Sequence, residues 1–233
     1  MKWFLTLALA LLVVGCGSPK PAQPAAQPPA QPPAQAAEST QPAAPTDTTA
    51  AKSVTPPPAV QGMLKDTLIP TKLPENLYIS IKVKDYGTMK IKFYTMDAPR
   101  NVANVANLAI KGFYNGLTFH RLIPGFMIQG GDPSGDGTGG PGYTVPAEIS
   151  RRHDKGSMAM ARTGDNINPK KESSGSQFYI CFAPTPQLDG QYTVIGLLKE
   201  GMDVLDKLEK VKTGQMDKPV TPVVMEQVWV TTE

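Results

Sequence analysis

The sequence predicts one mostly β domain, built either as a barrel or as a sandwich. Several short segments alternate apolar and polar residues with a period of two, which is typical of half-buried strands. Few segments have helical spacing, and long glycine-rich loops separate the predicted strands. The periodicity alone does not choose between a barrel and a sandwich.

Composition divides the 233 residues into a leader, a linker and a body. Residues 1–15 carry one lysine and then an apolar run, shorter than the roughly 20 residues that span a bilayer, so they predict a secretory signal peptide. Residues 16–63 are rich in Pro, Ala and Gln and hold half of the 24 prolines, so we expect a disordered linker with polyproline II character. Residues 64–233 are long enough for one globular domain.

The end of the leader predicts an anchor. Val13-Val14-Gly15-Cys16 resembles the lipobox of bacterial lipoproteins, which implies cleavage before Cys16 and a lipid on its thiol. The protein is then expected in the cell envelope, attached to a membrane and facing the extracytoplasmic side. The alternative is an ordinary signal peptide with an incidental cysteine.

Charge and cysteine usage exclude several function classes. The net charge of +3 is mild and no basic run occurs, so no nucleic-acid partner is expected. Cys181 is the one cysteine of the body, which excludes a disulfide within the domain and favours a small buried apolar residue. Two histidines and this cysteine form no metal-binding pattern. No helix is predicted after the glycine-rich loop 130–142, so a nucleotide or other cofactor is not expected either.

The first elements of the body are a hairpin and a helix. Leu77–Val83 and residues 89–93 alternate in polarity and are joined by a turn at 85–87. Apolar residues at helical spacing predict a helix over 99–111, with Asp97 as its N-cap and Gly112 at its end. The asparagines of this helix are expected on its wetter side; they are Asn101, Asn104 and Asn107.

The remaining predicted elements follow long polar loops. Residues 156–161, 176–182, 192–196 and 223–230 have the composition of strands, and residues 201–208 have helical spacing.

One apolar stretch, residues 119–131, contains a single cation, Arg121, and is interrupted by Pro124-Gly125. A buried guanidinium needs acceptors, so either an acidic residue such as Glu148 or a ligand must supply them. The neighbouring His120 is expected on the opposite face of the strand, as a hydrogen-bonded core histidine. His153 lies in a polar loop with no predicted partner.

The same stretch carries a resemblance to a known family. Residues 119–131 resemble the signature of the cyclophilin family of peptidyl-prolyl cis-trans isomerases, and residues 156–161, 175–180 and 188–190 resemble its further landmarks in the family's order. The resemblance extends from Leu77 to the end of the sequence. It implies a closed eight-stranded antiparallel barrel capped by two helices, with the active site in an outer groove because side chains fill the interior.

The resemblance also implies roles for particular residues. Arg121 corresponds to the catalytic cation, and Gln129 to a side chain that hydrogen-bonds the substrate backbone. The residues implied to line the proline pocket and its neighbouring wall are Phe126, Met127, Ala159, Met160, Tyr179, Leu188 and Tyr192. Tyr192 stands where the family often has His, and Gln187 where it often has Trp, which predicts weak binding of cyclosporin.

The implied reaction is rotation about an X–Pro amide, which breaks no bond and needs no nucleophile, metal or cofactor. The expected partners are proline-containing segments of exported proteins, whose folding the enzyme would assist, and the membrane through the lipid on Cys16. The protein is expected to be a monomer. The alternatives are a module that binds proline segments, or acts as a chaperone, without significant turnover, and an adhesive or scaffolding surface lipoprotein.

Overall fold

A computed structural model describes residues 73–233. The predicted signal peptide, Cys16 and the linker lie outside these residues, as do the first residues of the predicted domain. The strands are β1 (Leu77–Val83), β2 (Gly87–Phe93), β3 (Thr118–Ile123), β4 (Met127–Gly130), β5 (Thr144–Val145), β6 (Ser157–Met160), β7 (Ser173–Ser174), β8 (Phe178–Cys181), β9 (Val194–Glu200) and β10 (Val223–Thr232). The α-helices are α1 (Pro99–Ile110) and α2 (Met202–Leu208), and short 3₁₀ turns cover Pro186–Leu188 and Gln215–Asp217. Within the described part of the chain, no helix is both long and apolar enough to cross a bilayer.

Eight of the strands close into an antiparallel barrel in the order β1-β10-β3-β4-β8-β6-β9-β2. The predicted closed barrel is therefore confirmed. The longest seam joins β1 to β10, from Leu77 opposite Thr232 onward. The two remaining strands, β5 and β7, form a small separate ladder.

The barrel interior is a single apolar core that also takes in both helices. Period-two alternation sends one face of each strand inward, and the aromatic rings of Phe93, Phe119 and Phe178 fill much of the space. Apolar faces of α1 and α2 join the same cluster of buried side chains, α1 lying against β10 and α2 against β2. With the interior filled, a binding site has to lie on the outer surface.

The start of α1 differs from the prediction. Asp97 is not the N-cap, because Ala98 holds that position without a side-chain cap, and Asp97 instead pairs with Arg151 at 2.8 Å. The cap comes from a distant residue: the Glu148 carboxylate accepts the backbone N–H groups of Arg100 at 3.1 Å and Asn101 at 3.0 Å. A carboxylate at this position also interacts favourably with the helix dipole.

Asn101 is likewise not on a wet face. It is fully buried, and its Nδ2 donates to Glu148 Oε2 at 2.8 Å and to the Pro146 carbonyl at 3.0 Å. The predicted end of the helix is correct, since Gly112 has a φ of +73° directly after the C-cap residue Lys111.

Candidate active site

The residues implied by the resemblance form a row across four neighbouring strands. Arg121 on β3 lies opposite Gln129 on β4, Gln129 lies opposite Tyr179 on β8, and Tyr179 lies opposite Ala159 on β6. Directly opposed residues of adjacent strands point to the same face of a sheet. The fold thus gathers four side chains, widely spaced in sequence, on one outer patch of the barrel.

An apolar cluster, separate from the interior core, surrounds this row, and we call it the groove cluster. Its buried members are Met127, Ala159, Ala161, Tyr179, Cys181, Leu188 and Val194, and its partly buried members are Tyr94, Ile123, Phe126 and Tyr192. All the apolar residues that the resemblance implied for the pocket are here, with one exception.

The exception is Met160, whose implied place in the pocket wall is wrong. Successive residues of a strand point to opposite faces. Met158 and Met160 belong to the interior core, whereas Ala159 and Ala161 belong to the groove cluster. A methionine is compatible with both the interior core and the groove cluster, so the residue type alone does not predict which of the two it occupies.

Arg121 is partly buried, with 20% of its side chain exposed, and pairs with Asp217. The guanidinium Nε lies 3.3 Å from Asp217 Oδ2, and the hydrogen bonds of residues 73–233 use neither Nη group. Asp217 sits at a 3₁₀ turn in which it and Met216 both have positive φ, an uncommon backbone for these residue types. The suggested pairing of Arg121 with Glu148 is wrong, because Glu148 caps α1.

A second glutamine holds Gln129 in place. The Gln129 Nε2 donates to Gln177 Oε1 at 2.9 Å, and Gln177 Nε2 donates to the carbonyls of Gly137 at 3.0 Å and Gly139 at 2.7 Å. The glycine-rich loop therefore supplies backbone acceptors that orient an amide of the site.

Tyr192 packs against the groove cluster, and two contacts restrict its ring. Its ring meets that of Tyr179 edge-on, with centroids 5.8 Å apart, and the guanidinium of Arg162 lies over the Tyr192 ring, 4.7 Å from its centroid. Arg162 itself is held by a hydrogen bond from Nε to the Gln191 carbonyl at 2.9 Å. The cation–π contact and the edge contact together restrict the ring.

His153 has partners, contrary to the prediction. It is 2% exposed, and its ring nitrogens lie 2.9 Å from Asp189 Oδ1 and 3.0 Å from the Tyr179 hydroxyl. Burial lowers the pKa of His153, although the hydrogen bond to Asp189 acts in the opposite direction. Burial also raises the pKa of Tyr179 well above its usual value, so the hydroxyl keeps its proton.

Sequence reasoning missed the residues that support the site, namely His153, Arg162, Gln177, Asp189 and Asp217. Gln177 and Asp189 lie within the family landmarks and were open to notice. His153, Arg162 and Asp217 come from loops whose approach to the groove depends on tertiary structure. Among residues 73–233, no three His, Cys, Asp or Glu side chains gather as metal ligands would.

Comparison with known proteins agrees with this geometry. Residues 78–230 match the family model described as "Cyclophilin type peptidyl-prolyl cis-trans isomerase/CLD". A peptidyl-prolyl cis-trans isomerase of Helicobacter pylori is 42% identical over 144 residues, which cover 60% of this chain and 84% of that protein. One from Synechococcus elongatus is 52% identical over 111 residues, covering 47% of this chain and 72% of that protein. The crystal structure of a Cryptosporidium parvum cyclophilin-type isomerase superposes with a TM-score of 0.63 at 31% identity, covering 67% of this chain and 98% of that one.

The chain thus forms a closed antiparallel barrel with a charged and apolar groove on its outer face. With these matches, the chain belongs to the cyclophilin-type peptidyl-prolyl cis-trans isomerase family. It is accordingly a peptidyl-prolyl cis-trans isomerase, which confirms the enzyme predicted from the sequence.

Proposed function

We propose that Arg121 is the catalytic cation of this isomerase and that the groove cluster beside it binds the substrate proline. The observation that carries the proposal is the row of Arg121, Gln129 and Tyr179 on one outer face. This row places a cation, a hydrogen-bonding amide and an aromatic floor within reach of one short peptide.

The physical role of Arg121 follows from the barrier to be lowered. Partial double-bond character gives an X–Pro amide a rotation barrier of about 18–20 kcal/mol. Twisting the amide localises a lone pair on the prolyl nitrogen, and a guanidinium N–H aimed at that atom stabilises the twisted form more than the planar one. Asp217 takes Nε of Arg121, so the Nη groups remain for this task.

The apolar part of the groove suits a proline ring. Met127 and Leu188 are almost fully buried in the groove cluster, and Phe126 packs against the cluster while remaining partly exposed. A second Cryptosporidium parvum crystal structure, with a TM-score of 0.62 at 31% identity, was obtained in the presence of the dipeptide Ala-Pro. That observation supports an X–Pro ligand for this fold.

The test is the rate of cis-trans exchange in a short X–Pro peptide with wild type and Arg121→Ala. Removing one preorganised donor from such a site costs on the order of 10²–10³ in rate, so we expect a fall of that size in kcat/KM. Arg100→Ala is the control, because Arg100 is an exposed arginine on α1. Equal rates for wild type and Arg121→Ala would refute the assigned role.

For location, we propose an exported enzyme anchored by a lipid on Cys16 and acting on exported proteins. The support is in the sequence: the apolar leader, the lipobox-like Val13-Val14-Gly15-Cys16 and the proline-rich linker. About 45 linker residues at ~3.1 Å each reach on the order of 140 Å if fully extended, which holds the domain away from the membrane surface. X–Pro isomerisation otherwise takes tens to hundreds of seconds, so newly exported chains are suitable substrates.

Cell fractionation tests the anchor. We expect wild type in the membrane fraction and Cys16→Ser released from it, with Cys181→Ala behaving as wild type because Cys181 is buried in the domain. Membrane association that survives Cys16→Ser would contradict the lipid anchor.

A further inference from the structure

A relay of three side chains lies beside the groove cluster: His153 and Tyr179 are buried, and Asp189 is partly exposed. Asp189 Oδ1 accepts a hydrogen bond from the backbone N–H of His153 at 2.8 Å. The same oxygen lies 2.9 Å from Nδ1 of the His153 ring. The other ring nitrogen, Nε2, lies 3.0 Å from the Tyr179 hydroxyl, and the two rings are parallel within 6°. The His153 side chain has no exposed surface.

The chemistry of the partners fixes the direction of each hydrogen bond. A carboxylate only accepts, so Nδ1 of His153 carries the hydrogen and donates to Asp189. Nε2 of the neutral ring is then an acceptor, and the Tyr179 hydroxyl donates to it. The hydroxyl is thereby satisfied by His153, while the Tyr179 ring itself belongs to the groove cluster.

We propose that His153 is a positioning residue for the isomerase, held by Asp189 in the tautomer that accepts the Tyr179 hydroxyl and so fixes the floor of the proline pocket. The inference rests on the proposed binding of proline in the groove cluster. It explains how a tyrosine is accommodated in an apolar floor: its one polar atom is turned away from the substrate and paired.

Protonation of His153 reverses this arrangement. An imidazolium has a hydrogen on both nitrogens, so Nε2 becomes a donor and the Tyr179 oxygen must accept. The hydroxyl hydrogen then has to leave the His153 axis and turn toward the apolar cluster. The floor of the pocket loses its fixed position, and proline binding weakens.

The groups that surround His153 set the pH at which its ring becomes protonated. Asp189 and Asp154 act on the ring as carboxylates, and Tyr179 and Tyr192 pack against it as aromatic rings. Burial outweighs the carboxylates, so the pKa of His153 lies below its ordinary value near 6.5. The neutral, accepting form is present at neutral pH, and the change is expected only in mildly acidic solution.

The experiment measures kcat and KM of the whole protein separately, from about pH 5 to pH 8. Cis-trans exchange is followed by NMR, which needs no coupling protease whose own activity depends on pH. For wild type we expect KM to rise severalfold toward the acidic end, with a smaller change in kcat. In Tyr179→Phe this rise is expected to disappear, because there is no hydroxyl to reverse.

A double-variant cycle at neutral pH separates positioning from mere structural support. His153→Leu leaves the buried Tyr179 hydroxyl without its acceptor, and we expect KM to rise on the order of fivefold to tenfold. His153→Leu combined with Tyr179→Phe removes both polar partners, so KM is expected to return toward the wild-type value. Far-UV circular dichroism and the Tm check that each variant is folded.

The chain has two histidines, which provides the control for the pH profile. His120 lies beside Arg121 in sequence, and His120→Phe is expected to keep the wild-type rise of KM. A rise lost in His120→Phe but kept in Tyr179→Phe would overturn the inference, as would an unchanged KM in folded His153→Leu.

Arg121→Ala in the same assay distinguishes the two proposals. Loss of activity there together with unchanged KM in the His153 and Tyr179 variants would leave the active site standing and reject the relay. Full activity of Arg121→Ala would reject the site assignment itself.

Discussion

At the scale of single residues, Arg121 depends on a partner that lies far away in sequence. Asp217 belongs to the loop before β10 and reaches Nε of Arg121 at 3.3 Å, while 46% of its own side chain is exposed. The need for an acceptor could be predicted from a cation in an apolar stretch. Its identity could not, since several carboxylates were equally available in the sequence.

Asp217→Asn is expected to weaken catalysis only modestly. The pair is partly exposed and screened by solvent, so it contributes about 1 kcal/mol, which corresponds to about a fivefold fall in kcat/KM. The effect should shrink as salt is added, because screening weakens the wild-type pair. Asp203→Asn, which breaks the exposed Asp203–Lys207 pair on α2, is the matched control and should leave kcat/KM unchanged.

His120, unlike Arg121, is a buried polar residue without a hydrogen-bond partner among the described residues. It is buried as predicted, but neither ring nitrogen finds a hydrogen-bond partner among the described residues, so the expected pairing is wrong there. Burial lowers the pKa of His120, while Asp132 and Asp136 act against that shift. The folded protein therefore takes up a proton on His120 less readily than the unfolded chain does.

The lowered pKa of His120 makes the stability of the domain depend on pH. Below about pH 6.5 the unfolded chain binds the proton first, so the free energy of unfolding falls as the pH falls. We expect His120→Phe to flatten that dependence and to stabilise the domain by about 1–3 kcal/mol at neutral pH, since two unpaired buried nitrogens are removed. Urea unfolding at neutral and mildly acidic pH measures both, and a loss of stability in His120→Phe would indicate an unrecognised partner.

At the scale of elements, the main strands, both α-helices and the glycine end of α1 followed the sequence pattern, but the N-cap of α1 did not. Asp97 stands where a local N-cap would be expected, but the carboxylate that caps α1 belongs to Glu148, which is 47 residues from Asn101. Similarly, the composition of β6 allowed a strand to be recognised, but not which of its methionines faced outward. Local patterns specify an element, whereas tertiary packing decides which groups satisfy its ends and faces.

Glu148→Gln is expected to destabilise the domain by about 1 kcal/mol, because the amide keeps one acceptor for the α1 N–H groups but loses the charge and the second oxygen. Glu148→Ala should cost more, about 2 kcal/mol, since it also leaves the buried Asn101 amide short of an acceptor. Thermal unfolding compares both with Glu226→Gln, which affects only an exposed pair with Lys82. Equal stability of Glu148→Ala and the control would mean that the cap contributes nothing.

At the scale of the whole molecule, alternation and glycine loops narrowed the fold to a barrel or a sandwich, and the family resemblance selected the closed barrel that the structure has. Residues alone could not make that choice, because closure depends on pairings between strands distant in sequence. One of these is the β2–β9 seam, where Gly196 lies opposite Phe93. A Cβ on Gly196 would approach the Lys92 carbonyl to 2.7 Å and Ile91 Cγ2 to 2.8 Å.

Gly196→Ala is therefore expected to strain the seam and to destabilise the domain by about 1–3 kcal/mol, as overpacking does. Gly214→Ala is the control, because the nearest atoms to its Cβ would lie 3.9 Å away. The Tm of each variant measures the effect. A Gly196→Ala protein as stable as the control would show that β2 and β9 can separate slightly without cost.

The pairing of β1 with β10 has a consequence for the order of events in the cell. Leu77 lies opposite Thr232, so the ribosome delivers the first strand of the barrel long before the strand that completes it. Until then β1 keeps an open edge, which invites pairing with other chains. Such distant contacts also form slowly. The barrel therefore closes only after β10 has been synthesised, and the edge of β1 stays exposed until then.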